Sequence, residues 1–249
     1  MREVKMKECS KSMHRRMQSP NFLRSYFLGE GIDIGGAPDP LFLYRELFPL
    51  IESVRCWDLT DGDAQLMAGV ADETYNFVHS SHCLEHVIDP YEALGNWLRI
   101  LKPGGHLVVT VPDEDLYEQG IFPSTFNRDH KCTFTIHKTK SWSPVSVNLL
   151  GLLADLGPQA DLREIRVLDT GYRYELPRYD QTLTPVAESA IEFVVRKRPI
   201  YEIEVGGRLP GVGQPDVEML RHLNQYHDDQ KTLRENNSFS PPFNNIKSL

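Results

Sequence analysis

Two imidazoles bracket a carboxylate in the run Ser80-Ser81-His82-Cys83-Leu84-Glu85-His86. Those residue types serve metal ligation and general acid–base work, histidine because its proton exchanges near neutral pH. The spelling His-x-x-Glu-His also matches an inverted zinc-protease motif, which needs one long helix carrying both histidines. Asp89-Pro90 opens a new helix just after it, so that reading is set aside. The plainer alternative is that Glu85 and His86 form a satisfied polar pair anchoring a loop. Two further groups of titratable residues follow. Pro112-Asp113-Glu114-Asp115 closes an apolar run, and Asn127-Arg128-Asp129-His130-Lys131 closes a long loop beginning at Tyr117. That loop mixes aromatics with Asn and Glu, a composition that suits a sugar. Rings stack on C–H faces, while carboxylates and amides read hydroxyls. A surface-loop histidine is the alternative for His130.

The elements that position these groups are legible. Phe77-Val78 leads a short apolar strand ending at Ser80-Ser81. Asp89 suits a helix N-cap, Pro90 the first helical position, and Glu92 stands three residues after the cap. Leu94, Trp97, Leu98 and Leu101 make one buried helical face, and Lys102-Pro103-Gly104-Gly105 stops the helix. Leu107 to Val111 then reads as a strand covered on both faces. Strand, helix and strand of this length make a right-handed parallel crossover, and ligands of such sheets bind beyond the C-terminal strand ends. All three titratable groups follow those ends. Upstream, Gly31-Ile32-Asp33-Ile34-Gly35-Gly36-Ala37-Pro38-Asp39-Pro40 is a strand and tight turn whose glycines permit close backbone approach. Ala37 and Asp39 break the dinucleotide spacing GxGxxG.

Taken together, SSHCLEHVIDP and LRILKPGGHLVVTVPD, with Leu84-Glu85-His86 and Leu101 to Gly105 at their centre, resemble class I S-adenosylmethionine-dependent methyltransferases of the small-molecule type. The resemblance runs from about Gly29 to Arg196. It implies an α/β fold: a doubly wound, seven-stranded, mostly parallel Rossmann-like sheet, with later strands at Arg163–Leu168 and Ala190–Val195 and the last one antiparallel. It implies S-adenosylmethionine as cofactor, held by Asp33, Gly35 and Gly36, although Ala37 and Asp39 stand where the family has its second and third glycines. Asp58 takes the ribose hydroxyls, Asp63 with Ala64 the adenine, and Ser80 and Ser81 the methionine part. Asp58 and Asp63 are only five apart, where the family places a helix and a strand. Either that helix is lost, or only one acid keeps its role.

Methyl transfer from a sulfonium requires a positioned acceptor and, for a hydroxyl, a base. His130, oriented by Asp129, is the first choice, with His86 as the second. Arg128 and Lys131 could hold an anionic substrate group. The segment also resembles ubiquinone-pathway O-methyltransferases, in which matching positions hold a divalent ion. A metal at His82, Glu85 and His86 is therefore a candidate, with His82 replacing a Glu. The loop from Pro112 to Thr135 resembles methyltransferases of bacterial surface-polysaccharide and other glycan pathways. The expectation is O-methylation of a sugar or glycan hydroxyl. A methyltransferase of another small or lipid-linked acceptor, and a catalytically silent binding module, stay open beside it.

The chain has 249 residues and net charge −8, which argues against a general nucleic-acid surface. Residues 1–28 carry seven Lys/Arg and two Glu, so the remainder is about −13. The basic stretch reads as a solvated face or a docking surface. Cys9, Cys56, Cys83 and Cys132 form no CxxC pair and fit a reducing, cytoplasmic setting. No apolar run approaches a membrane span or a signal peptide. The expected organisation is a basic helical segment over 1–28, a methyltransferase domain over 29–198, and an extension over 199–249. The extension is expected to hold a polar helix from Val217 to Glu235 and a disordered end. Expected partners are a small-molecule or glycan substrate, with no nucleic acid and no transmembrane segment; a homo-oligomer is compatible.

Overall fold

The computed structural model describes residues 8–206, so the helix expected from Val217 to Glu235 and the tail beyond it lie outside the described residues. Strands β1 (Gly29–Ile34), β2 (Ile51–Trp57), β3 (Tyr75–Ser81) and β4 (Leu101–Pro112) run parallel. A small parallel pair, β5 (Thr133–Thr135) and β6 (Ser146–Asn148), lies in the long connection after β4. Strand β7 (Ala160–Leu168) pairs antiparallel with β8 (Ala190–Lys197), which is antiparallel to β4. The main sheet has the order β2-β1-β3-β4-β8-β7. The first strand is interior, and the last is the reversed one, as expected.

Among the described residues the sheet has six strands, not the expected seven. Residues 58–74, between β2 and β3, form turns without helix or strand. Asp58, Asp61 and Asp63 fold the segment on itself: Asp61 accepts from the Asp58 amide at 3.1 Å, and Asp63 from the Gln65 amide at 2.7 Å. Its carbonyls are met by side chains from the neighbouring helix. Trp97 Nε1 donates to the Ala64 oxygen at 2.8 Å, Asn96 to that of Gln65 at 3.0 Å, and Arg99 to those of Met67 and Val70 at 3.3 and 2.9 Å. With those acceptors satisfied, no further strand is needed, and β2 becomes the sheet edge.

Helix α1 (Glu8–Met17) precedes the sheet, and α2 (Pro90–Arg99) links β3 to β4. Asp89 caps α2 through the amides of Tyr91 and Glu92, with Pro90 in the first turn. Ala93, Leu94, Trp97 and Leu98 are buried on the sheet. The helix stops two residues before Leu101, because Leu101 already pairs with Tyr75 in β4. Lys102 to Gly105 is a bulge before His106 meets Phe77. Helix α3 (Leu149–Asp155) covers the same face, and α4 (Ile200–Glu204) follows β8. No helix among the described residues is long and apolar enough to cross a membrane.

The opposite face is covered by the N-terminal segment. Phe22 and Phe27 pack edge-to-face at 5.3 Å, and Phe27 meets Phe48 at 5.0 Å and Phe77 at 5.2 Å. Two of the basic residues there are turned inward rather than solvated. Arg16 is fully buried, and Arg15 and Arg16 both reach Glu192 of β8, which also receives Arg166 at 2.7 Å. Burial opposes ionisation of Glu192, yet the guanidiniums of Arg16, Arg15 and Arg166 bring its carboxyl down to about 2. A depressed carboxyl stabilises the fold above the unfolded-state value and loses that contribution as pH falls through the folded-state one. Glu192→Gln is expected to lower unfolding free energy by about 3 kcal/mol at pH 7. Denaturant melts should show the deficit shrinking below pH 4.5 and vanishing near pH 2.

Candidate active site

The loops after β1, β3 and β4 meet at the C-terminal edge of the sheet, and α1 closes the fourth side. They line a cleft that opens to solvent. The first wall is the Gly35–Asp39 turn. Gly35 has φ +71°, and a Cβ there would stand 2.7 Å from the Cys83 Cβ, so only glycine lets this turn touch the loop after β3. A Cβ on Gly36 would lie 2.4 Å from Asp33 Oδ2. Asp33 is buried and committed: Oδ1 is 2.6 Å from His79 Nδ1, and Oδ2 accepts from the Leu41 amide at 2.6 Å. It fixes the ends of the turn. Asp39 accepts from the Ser10 amide of α1 at 2.8 Å and from the Tyr44 hydroxyl at 2.5 Å.

Asp33, Gly35, Gly36 and Ser81 line the cleft. Asp58 touches the turn from the end of β2, accepting from the Ala37 amide at 3.1 Å. Ser80 is buried and donates to the Ile34 oxygen at 3.0 Å, so its hydroxyl serves the sheet. Asp63 and Ala64 sit in the 58–74 turns, outside the cleft lining.

The second wall is built on Glu85. His82 takes a left-handed φ of +56°, uncommon for a residue with a side chain, and turns the chain at the end of β3. Glu85 and His86 follow on a short helical turn (Leu84–His86). The Lys131 amide donates to the Glu85 carbonyl at 2.7 Å and sets His130 beside it. His82 Nδ1 lies 3.4 Å from Glu85 Oε1, and the Nε2 atoms of His86 and His130 each lie 4.0 Å from it. Glu85 is 1% exposed, and neither of its oxygens has a hydrogen-bond partner. Burial opposes its ionisation, but His82, His86 and His130 hold the carboxyl below the usual carboxylate range. Burial likewise works against a charged His82, while Glu85 and Glu8 raise it above the usual histidine value.

His130 is buried, and its Nδ1 is 2.6 Å from Glu118 Oε1. Its ring lies against Tyr117 and, edge-on, against His86. The carboxylate partner of His130 is Glu118, not the expected Asp129, which is exposed with its amide on Asn127 Oδ1. Arg128 and Lys131 are exposed as well. Sequence reasoning also missed His79, Glu8 and Cys9, all of which line the cleft. A signal for Glu118 was present. Asp113 caps the helical turn Glu114–Glu118 by accepting from the Asp115 and Leu116 amides, which puts Glu114, Tyr117 and Glu118 on one side. Of these, Glu114 is spent on Thr133, Lys138, Ser141 and Ser146 and ties down the connection after β4. Glu8 and Cys9 come from a distant segment and left no local signal.

Ligating atoms of Glu85, His86 and His130 all lie within 4.8 Å of one another. His82, expected to complete a metal set, stands beside Glu85 and outside that group. No lysine or arginine lines the cleft among the described residues, whereas Glu8, Asp33, Asp39 and Glu85 do. The lining therefore suits a cationic or hydrogen-bond-donating occupant.

Residues 20–144 match a family described as a methyltransferase domain. Solved structures of similar fold include a protein of Bacillus halodurans described as a methyltransferase. It is 15% identical with a TM-score of 0.50, over 75% of this chain and 99% of its own. A Listeria monocytogenes protein described as S-adenosylmethionine dependent is 13% identical with a TM-score of 0.50, over 78% of this chain and 100% of its own. At such identities the likeness is one of fold. No match was found among curated proteins.

The tightness of the first wall is directly testable. Gly36→Ala should displace the Asp33 carboxylate, lower stability by about 1–3 kcal/mol, and shift the Leu41 amide resonance as its acceptor moves. An alanine variant with unchanged melting and an unchanged Leu41 signal would contradict the close contact.

Proposed function

The chain belongs to the methyltransferase-domain family, and from that premise we propose that it is an S-adenosylmethionine-dependent enzyme that O-methylates a sugar or glycan hydroxyl with His130 as base. The observation that carries this reading is the Glu118–His130 pair beside the partnerless oxygens of Glu85, inside the cleft walled by the Gly35–Asp39 turn.

The cofactor supplies an electrophilic methyl on a sulfonium and brings an ammonium with it. A cleft rich in carboxylates, and among the described residues lined by no Lys or Arg, fits such a cation. The turn's main chain and Asp58 would take the ribose side, and Ser81 the amino-acid side. Asp63 and Ala64 would border the adenine. Asp33 would act by shaping the turn, since both of its oxygens are engaged.

On the acceptor side, His130 donates its Nδ1–H to the Glu118 carboxylate, which keeps the proton on that nitrogen and leaves the Nε2 lone pair facing Glu85. An acceptor hydroxyl placed there gives its proton to Nε2 as its oxygen attacks the methyl. Glu85 would take a second donor of the same acceptor, which favours neighbouring hydroxyls. Tyr117, in edge contact with Phe126 at 5.8 Å, offers an aromatic surface on the same loop.

The uncompensated oxygens of Glu85 favour one second reading, a divalent ion held by Glu85, His86 and His130. Two imidazoles and one carboxylate suit zinc or iron better than magnesium. Such an ion would acidify the acceptor hydroxyl.

Calorimetry should show binding of S-adenosylhomocysteine, weakened by Asp58→Ala. Turnover should appear with a glycan or sugar acceptor from a screened panel. Binding without turnover on any acceptor would favour a silent module. His130→Ala should lower kcat by about 10²–10⁴ with cofactor affinity nearly unchanged. Glu118→Gln should lower kcat less. Full turnover by His130→Ala, together with loss of activity on chelation and recovery on adding zinc, would replace the base reading with the metal one.

A further inference from the structure

Asp33 shapes the turn that would hold the cofactor, and its own orientation is fixed by a chain of residues that leads out of the cleft into the sheet. His79 of β3 is fully buried, with Nδ1 2.6 Å from Asp33 Oδ1 and Nε2 2.9 Å from an amino group of Arg16. Guanidinium has only donors, so Nε2 must be the acceptor and the ring proton must sit on Nδ1, donating to Asp33. Arg16 in turn is pinned on every side. Its Nε donates to Glu192 Oε2 at 2.9 Å and a second amino group to Thr110 at 3.3 Å, and the guanidinium lies 5.4 and 5.7 Å from the ring centres of Phe22 and Phe27. A continuous chain thus runs Glu192–Arg16–His79–Asp33–Leu41 amide, from β8 through α1 to the far end of the turn. The Ser10–Asp39 bond couples α1 to the same turn at a second point.

We propose that Arg16 is a positioning residue for cofactor binding, selecting the Nδ1-protonated tautomer of His79 so that Asp33 holds the Gly35–Leu41 turn in its binding shape. The proposal rests on the reading above, in which that turn meets the cofactor. Neither Arg16 nor Glu192 lines the cleft, so the effect travels through His79 and Asp33. Lysine cannot replace the fork of donors that meets His79, Glu192 and Thr110 together.

The test uses the full chain labelled with ¹⁵N-histidine. In long-range ¹H–¹⁵N spectra His79 should show a protonated Nδ1 and a bare Nε2; among the nine imidazoles this pattern, which His130 on Glu118 also carries, is assigned to His79 by its loss in His79→Gln. Calorimetry with S-adenosylhomocysteine should show Arg16→Gln binding at least about ten-fold more weakly, with Arg16→Lys between it and wild type. Measurements are made well below each variant's melting midpoint, so a merely structural role would lower that midpoint and leave affinity unchanged. If Arg16→Gln does not fold, Arg16→Lys and the wild-type tautomer still decide. A proton on Nε2 of His79 in the wild type, or Arg16→Lys binding within about two-fold of wild type, would overturn the proposal. Failure of the wild type to bind S-adenosylhomocysteine would remove the cofactor reading first, while the tautomer measurement would stand.

Discussion

A carboxylate buried in the middle of a β-sheet needs cations, and the placement of Glu192 dictates much of what surrounds it. Glu192 is 1% exposed on the sheet face opposite α2. An unpaired charge there would cost several kcal/mol, so the chain must bring guanidiniums to it. Arg166 comes from the neighbouring strand β7, and Arg15 and Arg16 come from the basic N-terminal segment. Arg15 also meets Glu188, and Arg16 reaches Asp33 through His79, so three cations face three carboxylates. Ion pairing of this kind adds little net stability over an apolar core, but it permits one docking of α1 and penalises others. That docking carries Glu8 and Cys9 to the rim of the cleft, so the charge that satisfies Glu192 also determines what roofs the site.

The other face obeys a different constraint. Without a strand beyond β2, the sheet loses a ladder and leaves a turn-rich segment whose carbonyls must be met. Helix α2 meets them with Asn96, Trp97 and Arg99. Those bonds draw residues 64–70 over α2 and bring Met67 and Val70 into the core without further secondary structure. Gln65 then accepts from the amides of Ile88 and Asp89, which binds the segment to the loop leaving the Glu85 turn. The loss of a strand is therefore absorbed locally, and the strand ends that form the cleft keep their places.

What could be read from the sequence follows from the range of each interaction. The cap at Asp89, the helix after Pro90 and the β3–β4 crossover rest on local periodicity and capping, the strands at 163–168 and 190–195 on the family resemblance, and the structure has them all. The short distance between Asp58 and Asp63 leaves open either a lost helix or a lost role for one acid, and the structure has neither helix nor strand there. Histidine and carboxylate types at strand ends marked the Glu85 turn and the His130 loop, which the structure brings together. The pairings themselves were not legible. Asp129 is adjacent to His130 in sequence, but the side chain that reaches it is Glu118, delivered by the capped turn after β4. Arg16 reads as one of several surface basic residues until the sheet places Glu192 and His79 beneath it. Contacts between segments far apart in sequence carry no periodic or capping signature, so this part of the site emerges only from the fold.

The cleft itself poses one electrostatic problem. Around Glu85 three imidazoles converge on a buried carboxylate whose two oxygens make no hydrogen bond, while Glu118 and Glu8 each leave one buried oxygen unpaired nearby. Buried acceptors left in this state cost about 1–3 kcal/mol each, more when charged. The arrangement differs from Glu114, whose oxygens are met by four side chains and which serves only to brace the loop. The same protein thus contains a carboxylate closed off by its neighbours and one left open a few ångströms from a fixed imidazole. An acceptor bearing adjacent hydroxyls and a divalent cation are two answers to the open one. They differ in what happens to His130, whose Nε2 lone pair is free to take a proton in the first case and is spent on the ion in the second. Glu118 fits either, because a carboxylate on Nδ1 turns the other nitrogen's lone pair inward whichever partner it meets.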